Sequence, residues 1–432
     1  MINIKLIRDN PKEVQHKASL KGYDIDTGAI LELDKKHSAL LREVENLRKD
    51  RNLLSELGKD PNPNPSNIEK AKRLKNELKS KEKELDVLTK NLNKLLLTVP
   101  NMPLDEVPVG RDESSNIVTK TVGDIPVFDF EVKNHAEIAE TKGWLDKKRA
   151  TKVAGSRFNY LKGSLVKLQF GLVQYVLDVL TNEDILAKLI ADNKLDLPNK
   201  AFIPVIPPAL IKTDIYEASG RLDAQEVTYK IEQDELWLNA SAEHSLCTMY
   251  KDEIIPSSEL PIRYIGYSTS FRREAGTYGK DMEGLFRNHQ FDKLEMEVFS
   301  LPETAYREHL LLIAIEEYLM QSLKLPYRVL MKCSADIGFP NARGVDIEAW
   351  LPGQNQYRET HSADYISDFQ ARRLKTRFKR DNGEIDFIHT NDATAFALSR
   401  TPIAILENYQ QKDGNVNIPE VLWPYMGNKK VL

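Results

Sequence analysis

One stretch in the second half of the chain, FRREAGTYGKDMEGLFRNHQFDKLEME (271–297), combines the side chains that bind nucleotides. Arg272 and Arg287 suit bidentate contacts with phosphate oxygens. The Phe291 ring can stack on a base, and the Glu274 carboxylate can accept from an exocyclic amine. The stretch therefore predicts a triphosphate site. The alternative is a solvated sheet face that needs no ligand, although a lone phenylalanine among charges is unusual there.

The same stretch predicts two strands joined by a turn that contains Gly276, Gly279 and Gly284. Strand side chains alternate between faces, so Arg272 and Glu274 should share a face on the first strand. The return strand should begin near Arg287. Its polar face should carry Arg287, His289, Phe291, Lys293, Glu295 and Glu297, and its apolar face Leu294, Met296 and Val298. The apolar face should meet a core.

The surrounding region, residues 104–432, mixes strand patterns with a few helices and contains neither a P-loop nor a GxGxxG fingerprint. Helices are predicted at 163–180, 302–323 and 401–408, with Thr401 as a cap before Pro402. The strand patterns are FIPVIPP, LWLNAS, IRYIGYSTSFRRE, HQFDKLEMEVFS, RVLMKC, VDIEAWLP and DFIHTND. Successive strands without regular alternation with helices indicate an α+β fold, an antiparallel sheet flanked by helices.

The first hundred residues differ, because they carry two heptad patterns. The first runs through Ile30, Leu33, His37, Leu40, Val44, Leu47, Arg51 and Leu54; the second runs from Ala71 to Val99. Residues 58–67 (GKDPNPNPSN) cannot be helical, since proline lacks a donor and restricts its neighbour. An antiparallel coiled-coil hairpin, an arm over about 29–99, is predicted.

The arm is basic within an acidic chain. Residues 29–98 contain sixteen Lys and Arg against twelve Asp and Glu, while the whole chain has a net charge of -4. The basic residues that concentrate toward the tip of the second helix include Lys70, Lys72, Arg73, Lys75 and Lys79. These residues are candidates for contacts with a nucleic-acid backbone. A solvated coiled-coil surface is the alternative.

The composition argues against a disulfide-rich, secreted or membrane protein. The 432 residues include only Cys247 and Cys333, far apart, so neither a disulfide framework nor a cysteine zinc site is expected. The N-terminus lacks the apolar segment of a signal peptide, and no run of 18 apolar residues occurs. We expect a soluble cytoplasmic protein.

Several motifs resemble those of class II aminoacyl-tRNA synthetases, and specifically the seryl-tRNA synthetase family. FRRE with RNHQFDKLE resembles motif 2, FIPVIPP (202–208) resembles motif 1, and RTPIAILENYQ (400–410) resembles motif 3. YRETHS (357–362), DFQARR (368–373) and IPEVLWPYMG (418–427) are also typical of this family, as is the arm. The resemblance implies an N-terminal tRNA-binding domain at 1–103 and a class II catalytic domain at 104–432.

The resemblance also implies site roles, residue by residue. ATP would contact Arg272, Glu274, Arg287, Phe291, Glu359, Ser362 and Arg400, with Arg272, Arg287 and Arg400 as the catalytic residues. Serine would contact Ser241, Glu243, Arg272, Glu295 and Thr394. Glu359 and Ser362 would hold Mg²⁺, and Pro208 would lie at a homodimer interface. The lysines of the arm would bind tRNA. Ala393, Ala395 and Ala397 alternate before motif 3 and could form a small-residue face beside ATP; tight packing is the alternative.

The implied activity is ATP-dependent activation of L-serine and its transfer to tRNA(Ser), with tRNA(Sec) left open. Two residues depart from the family pattern: Ser241 stands where threonine is usual, and Asp392 where asparagine is common. His361, between the two expected Mg²⁺ ligands, is interpreted as a structural histidine. The alternatives are an amino acid:carrier protein ligase, whose members typically lack the arm, and an inactive tRNA-binding homologue.

Overall fold

The computed structural model describes residues 1–57, 65–222, 228–274 and 284–432. The chain divides into two compact units, an N-terminal unit at Met1–Met102 and a C-terminal unit at Pro103–Leu432. Residues 58–64 of the predicted breaker at 58–67, and residues 275–283 of the predicted glycine turn at 274–284, lie outside the described residues. The prediction that the breaker is non-helical is wrong for residues 65–67, which begin the helix Pro65–Leu97 with the proline in its first turn. Among those described, no helix is both long and apolar enough to cross a membrane.

The N-terminal unit is helical. Its helices are α1 (Ile4–Asp9), α2 (Pro11–Leu20), α3 (Thr27–Leu57) and α4 (Pro65–Leu97). Leu40 and Val44 of α3 and Leu78 of α4 are buried against one another, with Leu47, Leu85 and Leu88 packed around them. Because the heptad positions of α3 meet those of α4, the predicted coiled-coil hairpin is confirmed. The 31 residues of α3 span about 46 Å at 1.5 Å per residue.

Polar contacts across the hairpin show that its helices run antiparallel. His37 Nε2 lies 3.1 Å from Thr89 Oγ1, and Arg48 Nη2 lies 2.9 Å from Glu82 Oε1. Arg48 follows His37 on α3, whereas its partner Glu82 precedes Thr89 on α4, as antiparallel helices require. His37 interrupts the apolar seam without leaving its ring unpaired.

The C-terminal unit is built on strands. They are β1 (Ile117–Val122), β2 (Leu145–Asp146), β3 (Tyr160–Leu161), β4 (Ile203–Val205), β5 (Leu210–Lys212), β6 (Lys230–Ile231), β7 (Leu236–Leu238), β8 (Ile254–Pro256), β9 (Ile262–Phe271), β10 (Gln290–Ser300), β11 (Tyr327–Met331), β12 (Arg343–Leu351), β13 (Gln356–Ser367), β14 (Arg377–Lys379), β15 (Ile385–Phe387) and β16 (His389–Ala397). The largest described sheet has eight strands in the order β1-β11-β12-β13-β16-β10-β9-β4, antiparallel except for β4 with β9. This arrangement confirms the predicted α+β class. The polar strand β13 is not predicted by the sequence patterns.

The helices of the C-terminal unit pack around this sheet. They are α5 (His135–Thr141), α6 (Lys147–Ala154), α7 (Ser164–Leu180), α8 (Glu183–Asp192), α9 (Thr213–Ser219), α10 (Glu243–Leu246), α11 (Ala305–Ser322), α12 (Phe369–Leu374) and α13 (Arg400–Asn408). The main core joins leucines of α7 and α11 to β10, where Leu294, Met296 and Val298 are fully buried. The predicted apolar face of β10 is therefore correct.

The opposite face of β10 is not solvated. The solvent-exposed fractions of Lys293, Glu295 and Glu297 are 6%, 2% and 0%. The alternative of a solvent-exposed sheet face is therefore wrong for these residues. Charged side chains are rarely buried unless they are paired or serve a site. The buried charged face of β10 therefore indicates a binding site in the cavity above it.

Candidate active site

Five of the seven predicted nucleotide-binding residues, all except Arg287 and Ser362, line one pocket. Its walls are formed by Arg272, Glu274, Phe286, Asn288, Phe291, Lys293, Glu359, Thr360, Thr394, Ala397, Ser399 and Arg400. An adjoining cleft of about 640 Å³ shares Phe286, Glu359 and Arg400 with it and also contains Arg287. Residues more than a hundred positions apart thus meet above the middle of the large sheet.

The motif 2 residues reach the pocket differently from the predicted strand alternation. Strand β9 ends at Phe271, and Glu274 has a left-handed backbone with φ of 47°, so Arg272 and Glu274 do not share a strand face. The return strand begins at Gln290, three residues later than expected. Arg272 is held by its backbone N–H, which donates to His289 O at 2.9 Å. The loop ends, rather than a regular strand, orient these side chains.

Within the pocket the arginines already have partners. The Arg272 guanidinium lies 5.3 Å from the Phe291 ring centre. Arg287 Nη1 donates to Glu274 Oε2 at 3.1 Å. An incoming adenine and its phosphates would therefore exchange these contacts for their own.

Arg400 belongs to the helix rather than preceding it. Helix α13 begins at Arg400 with Ser399 at the N-cap position, so the prediction of Thr401 as the cap is wrong by two residues. The Arg400 guanidinium donates to Glu359 O at 3.0 Å and lies 4.9 Å from the Phe286 ring. Arg358 lies 4.0 Å from the same ring. Because the N-terminus of α13 carries partial positive charge, it favours an anion beside Arg400.

A bulge in β13 brings Glu359 and Ser362 to one face. Two residues three positions apart point to opposite faces of a regular strand. In β13 the register shifts, with Ser362 opposite Asp346 and Glu359 opposite Glu348, so Thr360 is the additional residue. Asp346 and Glu348 share a face, and so do their partners. The bulge therefore supplies a carboxylate and a hydroxyl side by side.

This oxygen donor set fits Mg²⁺, which prefers carboxylate, hydroxyl and water oxygens. Desolvation opposes ionisation of Glu359, but attraction by Arg400, Lys332 and Arg272 lowers its pKa to about 2. Asp346 bonds the Ser362 hydroxyl, and its buried Oδ1 atom has no hydrogen-bond partner among the described residues. Burial raises the pKa of Asp346 to about 7, so Glu359 is the carboxylate that stays ionised near neutral pH and offers anionic oxygen to a cation at this place.

His361 has structural contacts. Its Nδ1 atom lies 2.8 Å from Thr360 Oγ1, and its ring packs edge-on against Phe396. Burial lowers the pKa of His361 to about 4, which keeps the ring neutral.

A second bulge, in β16, separates the three alanines. Glu295 pairs with Thr394 and Leu294 with Phe396, which leaves Ala395 as the additional residue. Ala393 and Ala395 lie in the main core, whereas Ala397 lines the pocket. The predicted three-alanine face beside ATP is therefore wrong for Ala393 and Ala395, where tight packing is correct, and only Ala397 reaches the pocket.

The residues expected to bind serine form a buried cluster around Lys293. Ser241 hydrogen bonds to the Glu243 carboxylate. Lys293 Nζ lies 3.3 Å from Glu243 Oε2 and 2.6 Å from Glu295 Oε2. Thr394 Oγ1 donates to Glu295 Oε2 at 3.3 Å. The structure brings Ser241, Glu243, Glu295 and Thr394 together.

The two glutamates of this cluster differ in charge. Burial favours the protonated form of Glu243, but Lys293, His244 and Arg221 hold its pKa well below the ordinary value. Burial raises the pKa of Glu295 to about 7, despite the attraction of Lys293. Near neutral pH, one carboxylate is ionised and the other is poised to titrate.

The unusual Asp392 has a counter-charge. Arg221 Nη2 forms an ion pair with Asp392, and Arg221 Nη1 lies 3.9 Å from Asp364 Oδ2. Glu297 is paired with Asp392 in the sheet, and neither of its oxygens has a partner among the described residues. Burial raises the pKa of Glu297 well above its ordinary value, so this neighbour is neutral. Burial also raises the pKa of Asp392 well above its ordinary value, and Arg221 opposes this shift as the counter-charge of the ionised form.

The remaining predicted site residues lie elsewhere. Lys70, Lys72, Arg73, Lys75 and Lys79 are all exposed on α4, and Arg73 pairs with Glu69 at 2.7 Å. Pro208 lines an apolar groove with Val205, Ile206, Leu210 and Met249. Ile206 is 84% exposed at this groove, close to the edge strand β4.

Sequence patterns alone do not identify Phe286 and Arg358 as residues of the cleft, or Arg221 as the partner of Asp392. Phe286 follows the glycine turn, and Arg358 precedes Glu359, so adjacency to candidate residues was the available signal. Lys293 was placed on the polar face, but its position between two glutamates was not predicted. Arg221 gave no local signal, because its partners are more than 140 positions away.

Comparisons with known proteins agree on one family. Residues 1–103 match the seryl-tRNA synthetase N-terminal domain, and residues 228–409 match the class II tRNA synthetase core domain (G, H, P, S and T). A serine–tRNA ligase of Thermodesulfovibrio yellowstonii is 40% identical over 99% of both chains. The seryl-tRNA synthetase of Pyrococcus horikoshii, solved with ATP, is 36% identical with a TM-score of 0.86 over 100% of this chain and 99% of that one. A cytoplasmic serine–tRNA ligase of Naegleria fowleri, solved with AMP, is 29% identical with a TM-score of 0.83 over 100% and 98%.

Proposed function

This chain belongs to the seryl-tRNA synthetase family, and on that premise we propose that it activates L-serine with ATP and transfers serine to tRNA. The observation that carries the proposal is the meeting of Arg272, Arg287 and Arg400 beside a buried pocket of Ser241 and three charged side chains. A nucleotide site and an amino-acid site that share a wall are what adenylate formation requires.

In the first step, the serine carboxylate attacks the α-phosphorus of ATP and pyrophosphate leaves. The protein contributes position and charge rather than covalent chemistry. Arg272 would hold the serine carboxylate and the α-phosphate together, next to Phe291 under the adenine. Glu274 would accept from the adenine amine, and Arg287 and Arg400 would bind the departing phosphates.

Glu359 and Ser362 would hold Mg²⁺, with Asp346 beside Ser362. When bound, the cation neutralises phosphate charge. The chain's own role here is to keep two oxygen donors on one face through the bulge at Thr360.

Selection of serine would depend on the buried polar cluster. Glu243 and Ser241 would receive the ammonium group, and Glu295 and Thr394 the hydroxyl. An amino acid without that hydroxyl, such as alanine, would leave buried polar groups unpaired, which can cost roughly 10⁴–10⁵ in kcat/KM. Ser241 retains the oxygen of the usual threonine, so we expect the ammonium contact to be kept.

In the second step, a ribose hydroxyl of the terminal adenosine of tRNA takes the seryl group from the adenylate. The arm would hold the long variable arm of tRNA(Ser), a helix recognised by shape and backbone. Positive charge for this contact would come from five exposed basic side chains, those of Lys70, Lys72, Arg73, Lys75 and Lys79. Charging of tRNA(Sec) requires the same contacts and is tested with the same assay.

A homodimer is part of the proposal. The apolar groove around Pro208 and Ile206 is flanked by the edge strand β4, and a second copy would cover both. We also propose a cytoplasmic location, where tRNA charging takes place and where thiols such as the buried Cys247 and Cys333 stay reduced.

ATP–pyrophosphate exchange with each of the twenty amino acids, without tRNA, tests the activity. Exchange with serine alone is expected. Exchange with alanine or glycine instead would favour an amino acid:carrier protein ligase, although the arm argues against it. No exchange with any amino acid would favour an inactive tRNA-binding homologue.

A further inference from the structure

A second basic region lies in the C-terminal unit, far along the chain from the arm. Residues 142–167 contain eight Lys and Arg against one Asp, in a chain whose net charge is -4. Helix α6 carries Lys147, Lys148, Arg149 and Lys152, and Lys162 and Lys167 follow it. We call these six residues the α6 surface. None of these six residues lines the pocket or the adjoining cleft described above.

Three lysines of the α6 surface, Lys148, Lys152 and Lys167, have no acidic partner among the described residues, and two of them lie on α6 itself. Lys147 pairs with Glu140 at 2.9 Å, and Arg149 and Lys162 both pair with Asp146. Lys148 and Lys152 are exposed and contact no carboxylate within the described part of the chain. They are four residues apart on one helix, so they project from the same side. Unpaired, adjacent ammonium groups are suited to a ligand with repeated negative charge.

The segment after α6 connects this surface to the pocket. Arg157 Nη1 donates to Glu274 O, and His289 N–H donates to Arg157 O at 3.1 Å. Asn159 Nδ2 donates to Asn288 Oδ1 at 2.7 Å. Residues 157–159 thus contact the chain on both sides of the segment 275–283. Lys152 and Arg157 are five positions apart, so the chain between them spans at most about 18 Å.

We propose that the α6 surface binds backbone phosphates of the tRNA acceptor stem. The inference rests on the proposed function, which requires the 3′ end of tRNA to enter the pocket and so places the stem's phosphates near its entrance. Lys148 and Lys152 would neutralise neighbouring phosphates, as Lys does in sequence-independent contacts. The arm and the α6 surface then hold different parts of one tRNA.

The test is charge reversal of the two unpaired lysines on α6 in the full-length protein. A Lys148→Glu/Lys152→Glu variant should keep serine-dependent ATP–pyrophosphate exchange, because neither lysine lines the pocket. Its kcat/KM for tRNA in charging should fall about tenfold or more. The slope of log kcat/KM against log salt should shrink by about 2 in Lys148→Ala/Lys152→Ala, one for each lost phosphate contact.

The matched control is Lys379→Glu/Lys429→Glu, which reverses two exposed lysines that likewise contact no carboxylate among the described residues. Charging by the control should match that of the parent at equal salt. An acceptor-stem minihelix should inhibit charging by the parent and inhibit the α6 variant much less.

An unchanged kcat/KM for tRNA in the α6 variant would overturn the proposal, as would an equal fall in the control. A thermal unfolding midpoint equal to the parent's separates loss of contact from misfolding. If the α6 variant misfolds, the milder Lys148→Gln/Lys152→Gln replaces it with the same readouts. Absence of serine exchange in the parent itself would instead remove the proposed function, and this inference with it.

Discussion

The arm and the C-terminal unit each contain an Arg–Glu pair separated by 2.9 Å, but the two pairs are in different surroundings. Arg48 and Glu82 in the arm have side chains 47% and 39% exposed. Arg263 and Glu308 in the C-terminal unit are both 0% exposed, and Arg263 also donates to Lys200 O at 2.6 Å. Equal distance therefore does not mean equal energetic importance.

The difference follows from solvation. An exposed pair exchanges contacts with water at little net gain, typically about 0–1 kcal/mol. A buried pair is stable only while both members remain, because either one alone is an unpaired charge in the interior. Charged residues on the arm can therefore be changed with little effect on the free energy of unfolding. The stability of the C-terminal unit depends on its buried ion pairs.

The largest expected effect separates the two regions by activity. Deleting residues 29–99, with a short linker in their place, should leave serine-dependent ATP–pyrophosphate exchange nearly intact and reduce tRNA charging to background. The physical reason is that the arm carries the proposed phosphate contacts and none of the pocket residues. Normal charging by the shortened protein would contradict the assigned role of the arm.

The buried pair gives the next largest effect. Arg263→Met should lower the free energy of unfolding by about 3–5 kcal/mol, because Glu308 keeps a buried charge with no partner. Arg48→Met is the matched control in the arm and should cost at most about 1 kcal/mol. Urea unfolding of both variants measures the two values. Equal losses would mean that burial does not govern these pairs.

Arg272→Ala tests the role of the pocket in serine activation and leaves the arm unchanged. Loss of one contact to the developing charge should lower kcat for exchange about 10²–10³-fold, or roughly 3 kcal/mol. The affinity for tRNA, measured by filter binding, should change little. Exchange kinetics equal to the parent's would show that the phosphate site has been placed wrongly.

The smallest effect comes from the titration of Glu295. In the proposed site, the serine hydroxyl would donate to the ionised carboxylate of Glu295. With a pKa of about 7, only about a tenth of Glu295 is ionised at pH 6. The KM for serine in exchange should therefore fall about tenfold from pH 6 to pH 8. Glu295→Gln should raise KM and remove this dependence.

The same shift acts on stability with a definite sign. The folded state binds the Glu295 proton more tightly than the unfolded state, whose pKa is near 4.5. The stabilising contribution is complete below pH 4.5 and is lost as pH rises toward 7. Glu295→Gln should show a flatter dependence of unfolding free energy on pH in that window. A parallel pH dependence in parent and variant would exclude Glu295 as the titrating group.

Local sequence determined much of this protein. The heptads of α3 and α4 specify the arm, since a seam of every third and fourth residue can be buried only by a second helix. The alternation of Leu294, Met296 and Val298 specifies one face of β10. The motifs also indicated the family and the residues that meet at the pocket.

Only the tertiary structure decided which side chains face each other across strands. The bulges at Thr360 and Ala395 move every residue beyond them to the face opposite the one that regular alternation would give. They arise from hydrogen-bond register with a neighbouring strand. The charges of Lys293 and Arg221 are stabilised by Glu243 and Asp392, which are distant from them in sequence. Periodicity describes one segment at a time, whereas register and counter-charge are properties of pairs brought together by folding.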